Sequence, residues 1–212
     1  MRMREKMEIY GSILINNLRL QFPWPALSAA ALLILTELMF NINSLEGAAV
    51  AQPLEMLLVW TGPALLATVF LPEQNPEIRD VVRARQIGYL PVCLLRILYS
   101  SLTVVLLVLF FAGIMKAGES QVLPYHVWGC VCSALLLGAL GLAGAGISGN
   151  AAGGLMVCML YYLASYGLGR RLGAFSLFSM TKGQMEGKGW QLAAAAAVTM
   201  GALAVMKRRK QL

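Results

Sequence analysis

Six long apolar stretches with few charged residues dominate this sequence. A helix needs about 20 apolar residues to cross a hydrocarbon core of roughly 30 Å. Because lipid offers no hydrogen-bond partners, a membrane-crossing backbone must satisfy its polar groups internally, as an α-helix does. We therefore predict an all-α, polytopic membrane helical bundle with six transmembrane helices. Their approximate positions are 25–42, 54–71, 91–115, 127–147, 151–168 and 190–206.

Composition excludes a large soluble domain. Hydrophobic residues make up 58% of the chain and charged residues 13%, whereas about 25% of a soluble domain is charged. The net charge of +7 raises the question of nucleic acid. The basic residues lie beside apolar stretches, however, where they attract anionic headgroups. Membrane lipid, and not nucleic acid, is therefore the expected partner of these charges.

The segment before the first span has the pattern of an interfacial helix. Its apolar side chains recur at helical spacing, and most of its charged side chains lie elsewhere on the helix. Phe22-Pro23-Trp24-Pro25 then ends this helix and places aromatic rings at headgroup level. We divide the chain into an amphipathic helix at 1–24 and a six-span transmembrane domain at 25–212. The apolar face consists of Met3, Met7, Tyr10, Leu14 and Leu18.

Lysine and arginine set the predicted orientation. With six spans, eleven of the seventeen Lys and Arg residues fall on the side that carries both termini. The positive-inside rule then places both termini in the cytoplasm of a multi-pass cell membrane protein, and the compact build suits a bacterium. The loop at 169–189 disagrees, because it carries four basic residues on the outer side. Its apolar run at 174–178 is expected to lie flat on the membrane or to dip partly into it.

The loop between the second and third spans predicts a short cytoplasmic helix. Asn75 suits an N-cap and Pro76 the first helical position. Acidic residues come early and basic residues late, as the helix dipole favours. The short apolar face leaves two interpretations open, a docking element for another protein or an ordinary interfacial helix. The residues concerned are Glu77, Ile78, Arg79, Asp80, Val81, Val82 and Arg83.

The order of these elements resembles the membrane subunits of type-2 ABC exporters, across nearly the whole chain. The resemblance implies a permease that works with an ATP-binding cassette subunit and a second permease subunit, identical or related. Residues 1–24 would be the connecting helix, 76–85 the coupling helix, and Glu73 the acid that follows the second span. The Glu-Arg and Gly-Thr pairs common in that loop of the family are absent here.

Chemistry within this chain is not expected. No Walker A pattern is present, so ATP and Mg²⁺ would be bound by the partner subunit and this chain would hold no cofactor, metal or catalytic residue. Gly146-Ile147-Ser148-Gly149 resembles the Gly-x-Ser-Gly of rhomboid proteases. That chemistry needs a later His as a base, whereas His126 precedes Ser148. Turn formation is the favoured role for Ser148.

Ionisable residues in or near the spans are the remaining candidates. Charges at membrane depth are costly and often functional, although Glu37, Glu55 and Arg96 are each close enough to an interface to reach water. Glu37 and Glu55 could line the outer mouth of a translocation path. The alternative to a transporter is a six-span substrate-capture protein of the vitamin-importer type, which would bind a small ligand without ATP.

Glycine and cysteine residues in the spans are expected to serve packing. Seven glycines crowd the fourth and fifth spans, where they would allow close packing within the chain or, less favoured, a dimer contact. The four cysteines lie in apolar stretches without metal or disulfide spacing, so they are expected to be core residues.

Overall fold

The computed structural model describes residues 22–74, 89–183 and 187–211, together with Gly11, Ile15 and Arg19. All regular structure in these residues is helical. The α-helices are α1 (Pro23–Met39), α2 (Ala51–Met56), α3 (Thr61–Leu66), α4 (Tyr89–Ala117), α5 (Pro124–Ser148), α6 (Ala151–Leu172) and α7 (Lys188–Gln211). Short 3₁₀ turns occupy Gly47–Val50, Leu58–Trp60, Ala67–Gln74 and Gly173–Phe175.

The predicted helical membrane bundle is confirmed at this level. Among the residues that the structure describes, five helical segments are long and apolar enough to cross a membrane, and α1, with 17 residues, is shorter. The five are Gly47–Phe70, Pro91–Ala117, Pro124–Ser148, Ala151–Gly169 and Lys188–Met206. The number of crossings and the interfacial helix at 1–24 stay predictions, because only three residues before Phe22 are described.

Helix α5 forms the centre of the bundle. It packs against α6, α7, α4 and the second span from α2 to the 3₁₀ turn Ala67–Gln74. Glycines allow this close packing. A Cβ on Gly138 would lie 2.9 Å from the backbone of Gly62, and one on Gly154 would lie 2.3 Å from the carbonyl oxygen of Gly141. These three glycines of α5 and α6 therefore serve contacts within the chain.

The second span is a broken helix. It begins at Gly47, seven residues before the predicted start, and alternates short α-helices with 3₁₀ turns. Pro63 explains the interruption before α3, because its ring lacks an N–H and crowds the carbonyl of Val59 four residues earlier. The Trp60 N–H instead bonds the Leu57 carbonyl at 3.0 Å.

The break leaves the Met56 carbonyl without its normal helical donor, and the Tyr162 hydroxyl of α6 donates to it at 3.0 Å. We expect Tyr162→Phe to lower the free energy of unfolding by about 1–3 kcal/mol, because a partly buried carbonyl would lose its hydrogen-bond donor. Chemical unfolding in detergent would measure this. Tyr166→Phe, at an exposed side chain on the same helix, is the matched control. Equal stability of the two variants would contradict the role assigned to the Tyr162 hydroxyl.

Hydrogen bonds join the loop after α1 to the loop after α4. The Ser44 N–H donates to the Gly118 carbonyl at 2.8 Å, and the Gln121 N–H donates to the Leu45 carbonyl at 2.9 Å. Ser120 Oγ accepts from the Leu45 N–H at 3.0 Å. These two loops therefore lie at one end of the bundle. Because α5 runs away from this end, the α5–α6 turn lies at the opposite end.

Candidate functional site

A buried polar cluster centres on Glu55 of α2, a side chain with no exposed surface. Its Oε1 accepts from the Met180 N–H at 2.7 Å, and its Oε2 accepts from the Thr181 N–H at 3.0 Å. The Thr181 hydroxyl donates to Oε2 at 2.6 Å. Lys188, at the start of α7, places its Nζ 3.4 Å from Oε1. Both carboxylate oxygens are therefore engaged by the chain itself.

Lys188 connects Glu55 to α5 through hydrogen bonds. Its side chain is only 4% exposed, and its Nζ donates to Ser133 Oγ at 2.7 Å and to the Leu177 carbonyl at 3.3 Å. Ser133 Oγ donates to Gln191 Oε1 at 3.0 Å. Gln191 Nε2 in turn donates to the carbonyls of Ala174 and Ser176, each at 2.9 Å.

The cluster ties four parts of the chain together, namely α2, α5, α7 and the loop before α7. Removing a charge from water is expensive, so a buried pair needs good geometry and further hydrogen bonds. Here the carboxylate has three hydrogen-bond donors besides the ammonium, and the ammonium has two oxygens besides the carboxylate. The arrangement neutralises both charges and holds the loop. It presents no reacting group to solvent.

The held loop enters the bundle. In the segment 174–182, residues 176–180 are buried within the bundle. Met180 fits against α5 because Gly129 has no side chain there, and a Cβ at Gly129 would lie 2.3 Å from Met180 Sδ. The position of the apolar run 174–178 relative to the membrane stays a prediction.

The structure places the other predicted residues as follows. Glu37 is exposed on α1. Glu73 lies in the 3₁₀ turn Ala67–Gln74. The coupling residues Glu77, Ile78, Arg79, Asp80, Val81, Val82 and Arg83 fall outside the described residues. Arg96 is buried, and its Nη1 donates to the Val69 carbonyl at 3.3 Å.

Sequence reasoning missed four members of the cluster. Thr181 and Ser133 carry no signal of their own. Lys188 and Gln191 do carry a signal. They are two polar residues at the start of an otherwise apolar span, and residues three apart lie on one face of a helix. Polar residues at membrane depth are functional or structural candidates by default, and that rule would have selected this pair.

Ser148 and His126 lie at opposite ends of α5, about 33 Å apart along 22 residues of helix. Ser148 Oγ donates to the Gly144 carbonyl at 2.7 Å and accepts from the Asn150 N–H at 3.3 Å. His126 Nδ1 accepts from the Leu123 N–H at 3.2 Å. Each side chain thus serves a helix end, and the two cannot meet in one site.

The cysteines offer no cluster either. All four are buried, and none forms a disulfide bond. In the part of the chain that the structure describes, no three His, Cys, Asp or Glu side chains come together as a metal site would require.

An apolar groove of about 700 Å³ opens sideways between α1, the second span and α6. Leu32 and Leu35 line one wall, Trp60 the floor, and Met156 and Met159 the other wall. The hydroxyls of its two polar residues are turned to their own helices, since Ser28 Oγ donates to the Pro25 carbonyl at 2.7 Å and Thr68 Oγ1 to the Ala64 carbonyl at 2.9 Å. The groove is therefore suited to an apolar group.

No protein-family model, curated protein or solved structure matches this chain.

Proposed function

We propose that the chain is the transmembrane permease subunit of an ATP-driven ABC transporter, an exporter. It would form half of a translocation path, pair with a second permease subunit and receive energy from a separate ATP-binding cassette subunit. The observation that carries this proposal is the groove between α1, the second span and α6. It is open along its side, so a second subunit that faced it would close it into a shared path.

The lining supports a class of substrate. Leucine, methionine and tryptophan side chains offer apolar contact, and methionine adapts its shape to different ligands. An apolar or amphipathic molecule that enters from the lipid suits this surface better than an ion or a sugar, which would need polar partners in place of water. Glu37, exposed near the end of α1, remains a candidate for the outer mouth.

The second span supports a route for the energy. Trp60, Ala64 and Thr68 on this span form the floor of the groove. The same span runs on through the turn Ala67–Gln74 to the segment 76–85, the proposed coupling helix. A helix that is already interrupted needs little further change to move one half against the other. Movement of a bound ATPase subunit would therefore be transmitted to the groove by one continuous segment, the second span and the proposed coupling helix that follows it.

The proposal predicts an ATPase that depends on residues 76–85. We expect the chain, purified in nanodiscs from its native host, to carry a stoichiometric ATP-binding subunit. Val81→Asp and Val82→Asp should each reduce bound ATPase activity at least about tenfold, because a charge in an apolar docking face costs more than about 1.4 kcal/mol of binding.

The matched control is Asn41→Asp, which adds the same charge at an exposed position just after α1, at the other end of the second span from Gln74. It should leave the bound ATPase unchanged. A chain that purifies alone would contradict the permease proposal. If it also retained a small ligand in the groove, the substrate-capture alternative would take its place.

A further inference from the structure

We propose that the segment 174–182 is a releasable plug at one end of the bundle, and that the Glu55–Lys188 cluster is the latch that holds it closed. This inference concerns a single chain and does not rest on the proposed function. The structure is then the closed state. Release would expose the inner faces of α2, α5 and α7 to water at this end.

Apolar packing and hydrogen bonds both attach the segment. The side chains of Leu177, Phe178 and Met180 are buried in the hydrophobic core, and hydrogen bonds hold the backbone. Glu55 holds it through the amides of Met180 and Thr181, Lys188 through the Leu177 carbonyl, and Gln191 through two further carbonyls. Only the turn Gly173–Phe175 gives it regular structure. Hydrogen bonds of this kind can be exchanged for bonds to water one set at a time, whereas a continuous helix would have to unwind.

Two glycines border the segment and allow it to turn. Gly173 has φ +51° and Gly183 has φ +71°, both in the region that favours glycine. A Cβ at either position would meet nothing within 4 Å. Each glycine makes one local backbone hydrogen bond to the segment, from the Ser176 N–H to the Gly173 carbonyl at 3.1 Å and from the Gly183 N–H to the Met180 carbonyl at 2.9 Å. The segment therefore has a glycine at which the backbone can rotate on each side.

Two buried hydroxyls destabilise the closed state, and release would expose them to water. The hydroxyls of Ser176 and Ser179 are buried without a hydrogen-bond partner in the described structure. A buried polar group without a partner favours any state in which water reaches it. A buried ion pair adds little net stability for the same reason, since its desolvation offsets much of its attraction. The closed state is consequently stabilised by the latch and by the burial of Leu177, Phe178 and Met180, and it is opposed by these two hydroxyls.

The test measures how often the segment opens. Ser179→Cys places a thiol at a buried position of the plug, and a water-soluble maleimide would label it only in the open state, so the rate reports the open fraction. The native Cys158, buried in α6, reports global unfolding in the same sample, and mass spectrometry assigns each label. Lys182→Cys, at an exposed position, gives the rate for a freely accessible thiol.

In nanodiscs, we expect the Ser179→Cys thiol to react much more slowly than the Lys182→Cys thiol. Adding Glu55→Gln should accelerate labelling of the Ser179→Cys thiol at least about tenfold while Cys158 stays protected. Adding Ser176→Ala should slow it several-fold, because one unpartnered hydroxyl is removed from the closed state. Glu46→Gln, which alters an exposed hydrogen bond to Gln121 at the same end, should change nothing.

Three results would overturn the proposal. Equal rates for the Ser179→Cys and Lys182→Cys thiols in the parent would show that the plug is not closed. An unchanged rate on Glu55→Gln would show that Glu55 is not a latch. Parallel acceleration of Cys158 and the Ser179→Cys thiol would show that the cluster stabilises the whole bundle and not a separate plug.

Discussion

Gly62→Ala should strongly destabilise the bundle. A Cβ at Gly62 would lie 1.9 Å from the carbonyl oxygen and 2.7 Å from the carbonyl carbon of Ala134. These are backbone atoms of the central helix α5, so no side-chain rotation relieves the overlap, and either the second span or α5 must move. We expect a loss of about 3 kcal/mol or more, at the upper end of overpacking effects, out of a total stability of roughly 5–15 kcal/mol.

The measurement is the yield of monodisperse protein on size exclusion and its unfolding midpoint in detergent. Gly113→Ala is the matched control, because Gly113 lies in the apolar helix α4 and a Cβ there would meet nothing within 4 Å. That substitution should keep or slightly raise stability, since alanine is the better helix former. A Gly62→Ala variant as stable as Gly113→Ala would contradict the close packing of the second span on α5.

Lys188→Met should cause the second large loss. The substitution keeps most of the side-chain volume but removes the ammonium, which leaves the Glu55 carboxylate buried without a counter-charge. It also removes the hydrogen bonds that the ammonium donates to Ser133 Oγ and to the Leu177 carbonyl. Breaking a buried pair from one side typically costs about 3–5 kcal/mol. We expect the lower end of this range, because release of the segment 174–182 would let water reach the carboxylate.

A double-variant cycle separates the pair from its surroundings. Glu55→Gln combined with Lys188→Met removes both charges, so the combined variant should be more stable than Lys188→Met alone. Chemical unfolding in detergent would supply the free energies, with Glu46→Gln as the exposed control, expected within about 0.5 kcal/mol of the parent. Strictly additive losses would mean that the two charges do not interact in the folded protein.

Sequence reasoning was most successful where the chain must satisfy lipid. The apolar stretches after residue 90 predicted helices to within a few residues of α4, α5, α6 and α7, because a 20-residue apolar stretch in lipid has few alternatives to a helix. It was less successful for the second span, predicted at 54–71 and observed from Gly47. The residues before Leu54 were not included in the predicted span, yet Val50, Ala51 and Pro53 are buried.

The candidate site could be predicted only in part. Glu55 was selected because an acid at membrane depth is costly, and its complete burial agrees with that reasoning. Its assignment to the outer mouth of a translocation path stays a prediction. In this structure the carboxylate accepts hydrogen bonds from the chain's own donors. The coupling residues at 76–85 and the ATP-binding partner likewise stay proposals for the purification experiment to decide.

The helical membrane bundle follows from the amino-acid sequence, because the requirement for internal backbone hydrogen bonding in lipid acts on each stretch separately. The partners of Glu55 and the position of the loop before α7 depend instead on tertiary packing. The donors to Glu55 come from residues 125 to 133 positions away in sequence. Periodicity and composition report local environment. The compensation of a buried charge depends on which distant groups the packing of α2, α5 and α7 brings within hydrogen-bond distance.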